Sequence, residues 1–169
     1  QNNADLLIRQ ALEFVPNAVV IGNETLYQQV ADALLPKDIK VFAGLDALSQ
    51  IVQMDAIDMV LTALVGYSGL KPTMNAIAAG KPIALANKET MVVAGELITK
   101  MVNIFPIDSE HSAIFQCIVG EFHNPIEKII LTASGGPFRG KTRSELLKVT
   151  KEMALKHPKW DMGAKITID

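Results

Sequence analysis

The chain has 169 residues, of which 49% are hydrophobic, and its formal net charge is −2. This composition excludes a disordered chain, and the absence of a basic cluster argues against a nucleic-acid surface. The sequence has no run of about 18 uncharged apolar residues, so a membrane span is not expected. The single cysteine, Cys117, excludes an intramolecular disulfide and fits a reducing compartment. Its apolar neighbours predict that it is buried on a helix.

The first two thirds of the sequence predict helices and strands in alternation. Helices are predicted at 4–14, 23–35, 45–54, 70–79 and 87–102, and strands at 18–22, 40–44, 57–64, 81–86 and 104–107. The strands are apolar without a period of two, as is typical of strands buried on both faces of a parallel sheet. The short connections indicate βαβ units. We therefore expect an α/β fold with a doubly wound, mostly parallel, Rossmann-like sheet.

The pattern changes after Ile107. A strand is predicted at 127–133, followed by a turn that contains Gly135 and Gly136, and a terminal strand is predicted at 165–169. A helix is predicted at 142–149, because Thr142 and Glu145 have the spacing of a capping box. We place a domain boundary here, with an incomplete nucleotide-binding domain at 1–107 and the beginning of an α+β catalytic domain at 108–169.

The glycine motif of dinucleotide-binding domains, G-x-G-x-x-G after the first strand, is absent from the sequence. Either the protein binds no dinucleotide, or the first strand and its glycine loop precede Gln1. The chain starts without Met, opens inside a predicted helix and closes on a predicted strand, which favours the second interpretation.

Two polar clusters follow predicted strands. Asn87, Lys88 and Glu89 lie at a strand-to-helix corner. Asn87 is suited to cap the helix and Glu89 to complement the helix dipole, which leaves Lys88 in solvent. Alternatively, Lys88 points into a cleft at the carboxyl end of the sheet, where it attracts phosphate or polarises a carbonyl.

The second cluster holds Asp108 and Glu110, which face the same way if the segment is extended. Two carboxylates offer hard oxygen ligands for Mg²⁺ or Mn²⁺, although an octahedral ion needs more than two. The same two residues could equally be ordinary acids of a first helical turn, where they complement the helix dipole. His111, beside them, is expected to be a cap or a surface residue.

Two later motifs leave alternatives open. Ser134 and the glycines after it suit either an anion-binding turn or a plain tight turn. His157 and Trp160 lie in a segment rich in Lys and Met. Trp160 suits either a loop that closes over a substrate or an anchor to the core.

Four segments of the sequence resemble motifs of one enzyme family, that of 1-deoxy-D-xylulose 5-phosphate reductoisomerase. They occur in the family's order and with its approximate spacing. The segments span 86–89, 108–116, 131–139 and 157–166. The resemblance implies conversion of 1-deoxy-D-xylulose 5-phosphate to 2-C-methyl-D-erythritol 4-phosphate in the non-mevalonate isoprenoid pathway. It implies NADPH and a divalent cation, Mg²⁺ or Mn²⁺ (or Co²⁺), as cofactors.

The resemblance also implies roles for individual residues. Asp108 and Glu110 are expected to bind the metal, and Lys88 and Glu110 to take part in the chemistry. Asn87, Glu89 and Gly163 are expected along the NADPH. Substrate contacts are expected from Lys88, Ser109, Glu110, Ser134, His157 and Trp160, the last in a flap that closes on the substrate.

Several expectations concern the protein as a whole. By resemblance, the family's glycine loop precedes Gln1, and its third metal carboxylate and further phosphate contacts follow Asp169. We therefore expect these 169 residues alone to be inactive and to bind metal weakly. A cytoplasmic homodimer is expected, with a sugar phosphate as substrate and no nucleic-acid or membrane partner. The rival interpretations are a metal-independent NAD(P)-dependent dehydrogenase of another Rossmann family and a non-catalytic nucleotide-binding module.

Overall fold

The computed structural model describes residues 2–132 and 135–156. The chain divides into two compact units, residues 1–120 and 121–169. The first unit holds the helices α1 (Ala4–Phe14), α2 (Tyr27–Leu34), α3 (Leu45–Ile51), α4 (Leu70–Ala78), α5 (Lys88–Ile98) and α6 (Ser109–Ile118). Its strands are β1 (Ala18–Ile21), β2 (Lys40–Ala43), β3 (Val60–Thr62), β4 (Ile83–Leu85) and β5 (Ile104–Pro106). The second unit holds α7 (Arg143–Leu146) and α8 (Lys151–Ala154).

The described strands are all parallel, which confirms the predicted α/β class. They form two ladders rather than one continuous sheet, β1 with β2 and β3-β4-β5. A doubly wound sheet has the strand order 3-2-1-4-5-6. The pairing of β1 with β2 matches strands 2 and 3 of that order, and the β3-β4-β5 ladder matches strands 4, 5 and 6.

Each ladder has its own apolar core. In the first, Ala11 of α1 and Val30 and Leu34 of α2 pack with Ile21 of β1. Val30 and Leu34 are one helical turn apart, so both side chains lie on the face that covers the ladder. In the second, the buried residues come from α4, α5, β3 and β4, and they are Val60, Ala76, Ile77, Ile83, Leu85 and Ile98. In each core, the strands of the ladder are thus covered by packed helices.

Helix α6 begins directly after β5 and lies against it. Phe115 meets Phe105 of β5 edge to face, with 6.5 Å between the ring centroids. None of the ten residues of α6, all of them described, is buried. Cys117 is exposed, so the prediction that it is buried was wrong. The periodicity indicated the helix, but only the packing decides which of its faces are covered.

The second unit confirms one local prediction and contradicts another. Thr142 and Glu145 form the predicted capping box, although α7 ends at Leu146 rather than at 149. The strand predicted at 127–133 is absent from residues 127–132, the part that the structure describes. Ile129, Ile130 and Leu131 are largely exposed there. A strand forms only by pairing with another strand, and the described residues supply no partner for this one.

The capping box predicts a measurable titration. The Thr142 hydroxyl donates to Glu145 Oε2 at 2.6 Å and, as the first cause, lowers the pKa of Glu145. Replacing Thr142 with alanine is therefore expected to raise that pKa part of the way to its ordinary value, because the Thr142 N–H still donates at 2.7 Å. The carboxylate stabilises the folded state above its unfolded pKa, and this effect is lost as the pH falls through the lowered folded pKa.

Side-chain NMR titration measures this effect directly. The pKa of Glu152, which is lowered mainly by a backbone N–H of its own helix α8, serves as the internal control and is expected not to change. An unchanged pKa for Glu145 in the Thr142→Ala variant would contradict the capping interaction.

The described helices have a further property in common. In residues 2–132 and 135–156, none of them is long and apolar enough to cross a membrane.

Candidate functional site

The carboxyl ends of β3, β4 and β5 meet at one edge of their ladder. Thr62 pairs with Leu85, and Leu85 with Pro106, so the three strands end in register. The loop of residues 64–69 follows β3, Asn87 and Lys88 follow β4, and Asp108 follows β5. Parallel strands collect ligands at this edge, because loops from several strands converge there. The edge therefore brings together both polar clusters of the sequence.

Asn87 joins two of these segments. Its Oδ1 caps α5 by accepting from the Thr90 N–H at 3.0 Å. Its Nδ2 donates to the Gly66 carbonyl at 3.0 Å and to the Leu64 carbonyl. The residue is 3% exposed, and a Cβ at Gly69 would lie 3.2 Å from its carboxamide. Its side chain is therefore used within the protein, and a nucleotide contact would fall to its backbone or to the loop that it holds.

Lys88 is the first residue of α5 and lies 61% exposed. The positive end of the helix dipole disfavours a cation at this position. Its ammonium nevertheless reaches Asp108 Oδ2 at 2.8 Å, across 20 residues of sequence. This hydrogen bond is the first cause that raises the pKa of Lys88, so the amine is charged at neutral pH. Lys88 thus pairs with Asp108 at the carboxyl edge of the ladder, and its role toward a substrate stays a prediction.

Asp108 is the more buried partner, with 14% of its side chain exposed. It occupies the N-cap position of α6, but its carboxylate makes no capping hydrogen bond to the described backbone of that helix. The carboxylate instead contacts Lys88 at Oδ2 and His111 Nδ1 at Oδ1, each at 2.8 Å. These two contacts, the Lys88 hydrogen bond first, hold the pKa of Asp108 below its usual value.

Glu110 lies in the first turn of α6 rather than in an extended segment, so the predicted same-side arrangement with Asp108 is replaced by a helical one. The pKa of Asp108, which the Lys88 hydrogen bond lowers most, is also lowered by the neighbouring Glu110 side chain. Glu110 also raises the pKa of Lys88 by its charge.

Asp108 and Glu110 fit part of a divalent-cation site. Their oxygens are the ligands that Mg²⁺ and Mn²⁺ prefer, and the Lys88 ammonium on Asp108 shows that this carboxylate attracts a cation. In the described ranges, no group of three His, Cys, Asp or Glu side chains is placed to hold a metal. The residues present therefore supply two ligands of a larger set.

The remaining predicted site residues fall into two groups. Ser109 is exposed at the start of α6, and Glu89 is half-buried in the first turn of α5. Both lie at the same edge as Lys88 and Asp108. Ser134, His157, Trp160 and Gly163 lie outside the described residues. Their substrate and cofactor contacts stay predictions.

Comparison with models of protein families shows to which family the chain is related. Residues 1–95, more than half of the chain, match the family model described as 1-deoxy-D-xylulose 5-phosphate reductoisomerase. The chain belongs to this family. Residues 104–169 match the model of the reductoisomerase C-terminal domain. The resemblance predicted from the four segments is thereby confirmed.

Curated relatives agree with this assignment. The reductoisomerase of Bacteroides fragilis is 64% identical over 173 residues, which cover 99% of this chain and 45% of the relative. The reductoisomerase of Clostridium perfringens is 52% identical over 174 residues, with the same coverage of both chains. The chain thus spans a little less than half the length of these relatives.

Solved structures of reductoisomerases share the fold. The enzyme from Zymomonas mobilis in complex with NADPH is 39% identical, with a TM-score of 0.85 over 94% of this chain and 43% of that one. A DOX-P reductoisomerase in complex with NADPH, fosmidomycin and magnesium is 36% identical, with a TM-score of 0.82 over 98% of this chain and 45% of that one.

Two contacts at the candidate site were not predicted from the sequence. His111 is exposed, as expected for a surface residue, but its contact with the carboxylate of Asp108 was not predicted. The available signal was the i, i+3 spacing of the two residues at a helix start. Asn87 was predicted as a helix cap, which the structure confirms, but its hold on the loop of residues 64–66 had no sequence signal. That contact joins residues more than 20 positions apart.

The Lys88–Asp108 pair predicts competition with a metal. Replacing Lys88 with methionine is expected to tighten Mn²⁺ binding to the intact gene product, in the absence of substrate, by about two- to fivefold. The gain corresponds to about 0.5–1 kcal/mol, the usual strength of a partly exposed ion pair, because Asp108 no longer neutralises an internal cation.

Counting free Mn²⁺ by electron paramagnetic resonance measures this affinity. Lys71→Met is the matched control, since Lys71 forms an exposed ion pair with Asp46 at 2.7 Å and does not contact Asp108. Mn²⁺ binding that is unchanged or weaker in Lys88→Met would contradict the competition.

Proposed function

We propose that this chain contributes the metal-binding edge and the nucleotide-binding sheet to an enzyme that isomerises and reduces 1-deoxy-D-xylulose 5-phosphate. The product is 2-C-methyl-D-erythritol 4-phosphate, an intermediate of the non-mevalonate isoprenoid pathway. One observation carries the proposal. In a member of the reductoisomerase family, Lys88, Asp108 and Glu110 lie together at the carboxyl edge of a parallel ladder.

The residues at this edge suit the reaction. When bound, a divalent cation (Mg²⁺, Mn²⁺ or Co²⁺) supplies Lewis acidity and a template for substrate oxygens, and NADPH supplies hydride. Asp108 and Glu110 hold the cation with negatively charged oxygens. Lys88 presents an ammonium to the oxygens at which negative charge develops, where a fixed positive charge lowers the barrier. Ser109 offers a hydroxyl beside them for the substrate.

Other residues complete the proposal. Asn87, Glu89 and Gly163 border the NADPH, with Asn87 acting through its backbone and the loop that it holds. Ser134 and His157 bind the substrate, and Trp160 belongs to a segment that closes over it and excludes water. The solved relative that binds NADPH, fosmidomycin and magnesium supports a site for a nucleotide, a small ligand and a metal in one protein.

Assembly and location follow by family resemblance. We infer a homodimer that works in the cytoplasm on a small sugar phosphate. The exposed free thiol of Cys117 fits a reducing compartment. Size-exclusion chromatography with light scattering would test the dimer, and a monomer at micromolar concentration would contradict it.

The decisive experiment follows NADPH oxidation by the intact gene product. We expect turnover of 1-deoxy-D-xylulose 5-phosphate with Mn²⁺ or Mg²⁺, loss of turnover with a chelator, and recovery when metal is added back. Mass spectrometry and NMR should identify the branched product.

The rival functions give different results. Activity that persists in chelator on a hydroxy acid or an aldehyde would support a metal-independent dehydrogenase. Nucleotide binding without turnover of any sugar phosphate would support a non-catalytic module. Either result would contradict the proposed reaction.

A further inference from the structure

His111 contacts Asp108 in an unusual way for a helix start. In a capping box, the side chain at the third helical position reaches back to the backbone N–H of the N-cap residue. Here His111 holds the third position of α6, and its Nδ1 reaches the side chain of the N-cap residue instead, at 2.8 Å from Asp108 Oδ1. The Asp108 carboxylate thus contacts a side chain of α6 instead of capping its backbone.

We propose that His111 is a positioning residue that fixes the orientation of the Asp108 carboxylate for a divalent cation. The inference rests on the metal site of the proposed function and adds a residue to it. Partners that hydrogen-bond a ligating carboxylate fix its direction and raise metal affinity, since the ligand loses less rotational freedom on binding.

The protonation of the pair follows from its chemistry. A carboxylate only accepts hydrogen bonds. His111 must therefore carry its hydrogen on Nδ1, the nitrogen that faces Oδ1. A carboxylate has about four lone-pair directions. His111 uses one on Oδ1 and Lys88 uses one on Oδ2, so an oxygen lone pair stays available to a cation while His111 keeps its contact.

The helical turn that carries His111 is itself held in place. The Ser112 N–H donates to the Asp108 carbonyl at 2.8 Å, which closes the first turn of α6 around both residues. One turn further on, Phe115 packs on Phe105 of β5. Asp108 is 14% exposed and His111 50% exposed, so the contact lies at the site's border rather than in free solvent. A fixed helix start thus presents a fixed donor.

A purely structural role makes a different prediction. If the contact only stabilised the start of α6, losing it would lower the free energy of unfolding and leave metal affinity unchanged. If it orients Asp108, metal affinity falls, and a side chain that restores the donor restores the affinity.

The experiment measures Mn²⁺ binding to the intact gene product without substrate or NADPH, by electron paramagnetic resonance of free Mn²⁺. His111→Phe removes the donor, and we expect about tenfold weaker binding. His111→Asn places an amide N–H near the position of Nδ1, and we expect binding within about threefold of the wild type. His123→Phe is the matched control at an exposed histidine of the other unit, and we expect wild-type affinity.

The outcomes separate the inference from the proposed function. Wild-type affinity in His111→Phe, alongside weak binding in Asp108→Asn, would overturn the positioning role and leave the metal site intact. The same Mn²⁺ affinity in wild type and Asp108→Asn would overturn both. If His111→Phe does not fold, His111→Asn is compared with His111→Gln, whose amide reaches the position of Nε2 instead. Equal affinities in these two variants would also overturn the role.

Discussion

Replacing Asp108 with asparagine is expected to lower kcat/KM of the intact gene product by about a hundredfold or more. The carboxamide keeps the size of the side chain but loses the charge that attracts a divalent cation. A metal that acts as a Lewis acid contributes several kcal/mol to transition-state stabilisation, and each ~1.4 kcal/mol is a factor of ten in rate. The substitution also removes the partner of the Lys88 ammonium, which lies 2.8 Å from Oδ2. NADPH oxidation at several Mn²⁺ concentrations measures the loss.

The chain provides a close control for this variant. Asp46 also pairs with a lysine, Lys71, at 2.7 Å, and that contact likewise lowers the pKa of Asp46. Both side chains of this pair are largely exposed and neither contacts Asp108, so Asp46→Asn is expected to keep wild-type kcat/KM. Full activity in Asp108→Asn, with thermal unfolding like the wild type, would exclude the metal role and favour a metal-independent dehydrogenase.

Replacing Asn87 with alanine is expected to cost about 2–4 kcal/mol of unfolding free energy. The loss of a helix cap accounts for ~1 kcal/mol. The remainder comes from the carbonyls of Leu64 and Gly66, which lose their donor in a part-buried position, at ~1–3 kcal/mol. Urea-induced unfolding measures the total. Faster amide exchange in the loop of residues 64–69 would locate the effect.

A variant of Asn3 measures how much of this loss of unfolding free energy comes from the helix cap alone. Asn3 caps α1 by accepting from the Leu6 N–H at 2.9 Å, and this contact is exposed. Asn3→Ala is therefore expected to lose only ~1 kcal/mol. The difference between the two variants measures what Asn87 contributes by holding the loop after β3. Equal losses in both variants would mean that the loop contacts contribute nothing to stability.

The predictions that succeeded concern features decided by neighbouring residues, and the one that failed depends on residues elsewhere in the chain. The cap of α5 by Asn87 and the capping box of Thr142 with Glu145 were both predicted, because each is decided within four residues. The bounds of α1 were predicted to the residue for the same reason. The strand predicted at 127–133 failed in its described part because strand formation depends on a partner elsewhere in the chain.

The candidate site divides in the same way. The sequence by itself determined the parallel α/β class, the two polar clusters after β4 and β5, and the family to which the segments at 86–89 and 108–116 point. Only the tertiary structure decided that Lys88 and Asp108 touch, that Glu110 joins them from a helical turn, and that His111 holds the carboxylate. The physical reason is distance along the chain. Periodicity and capping act over a few residues, whereas parallel pairing of β4 with β5 brings together side chains that are 20 positions apart.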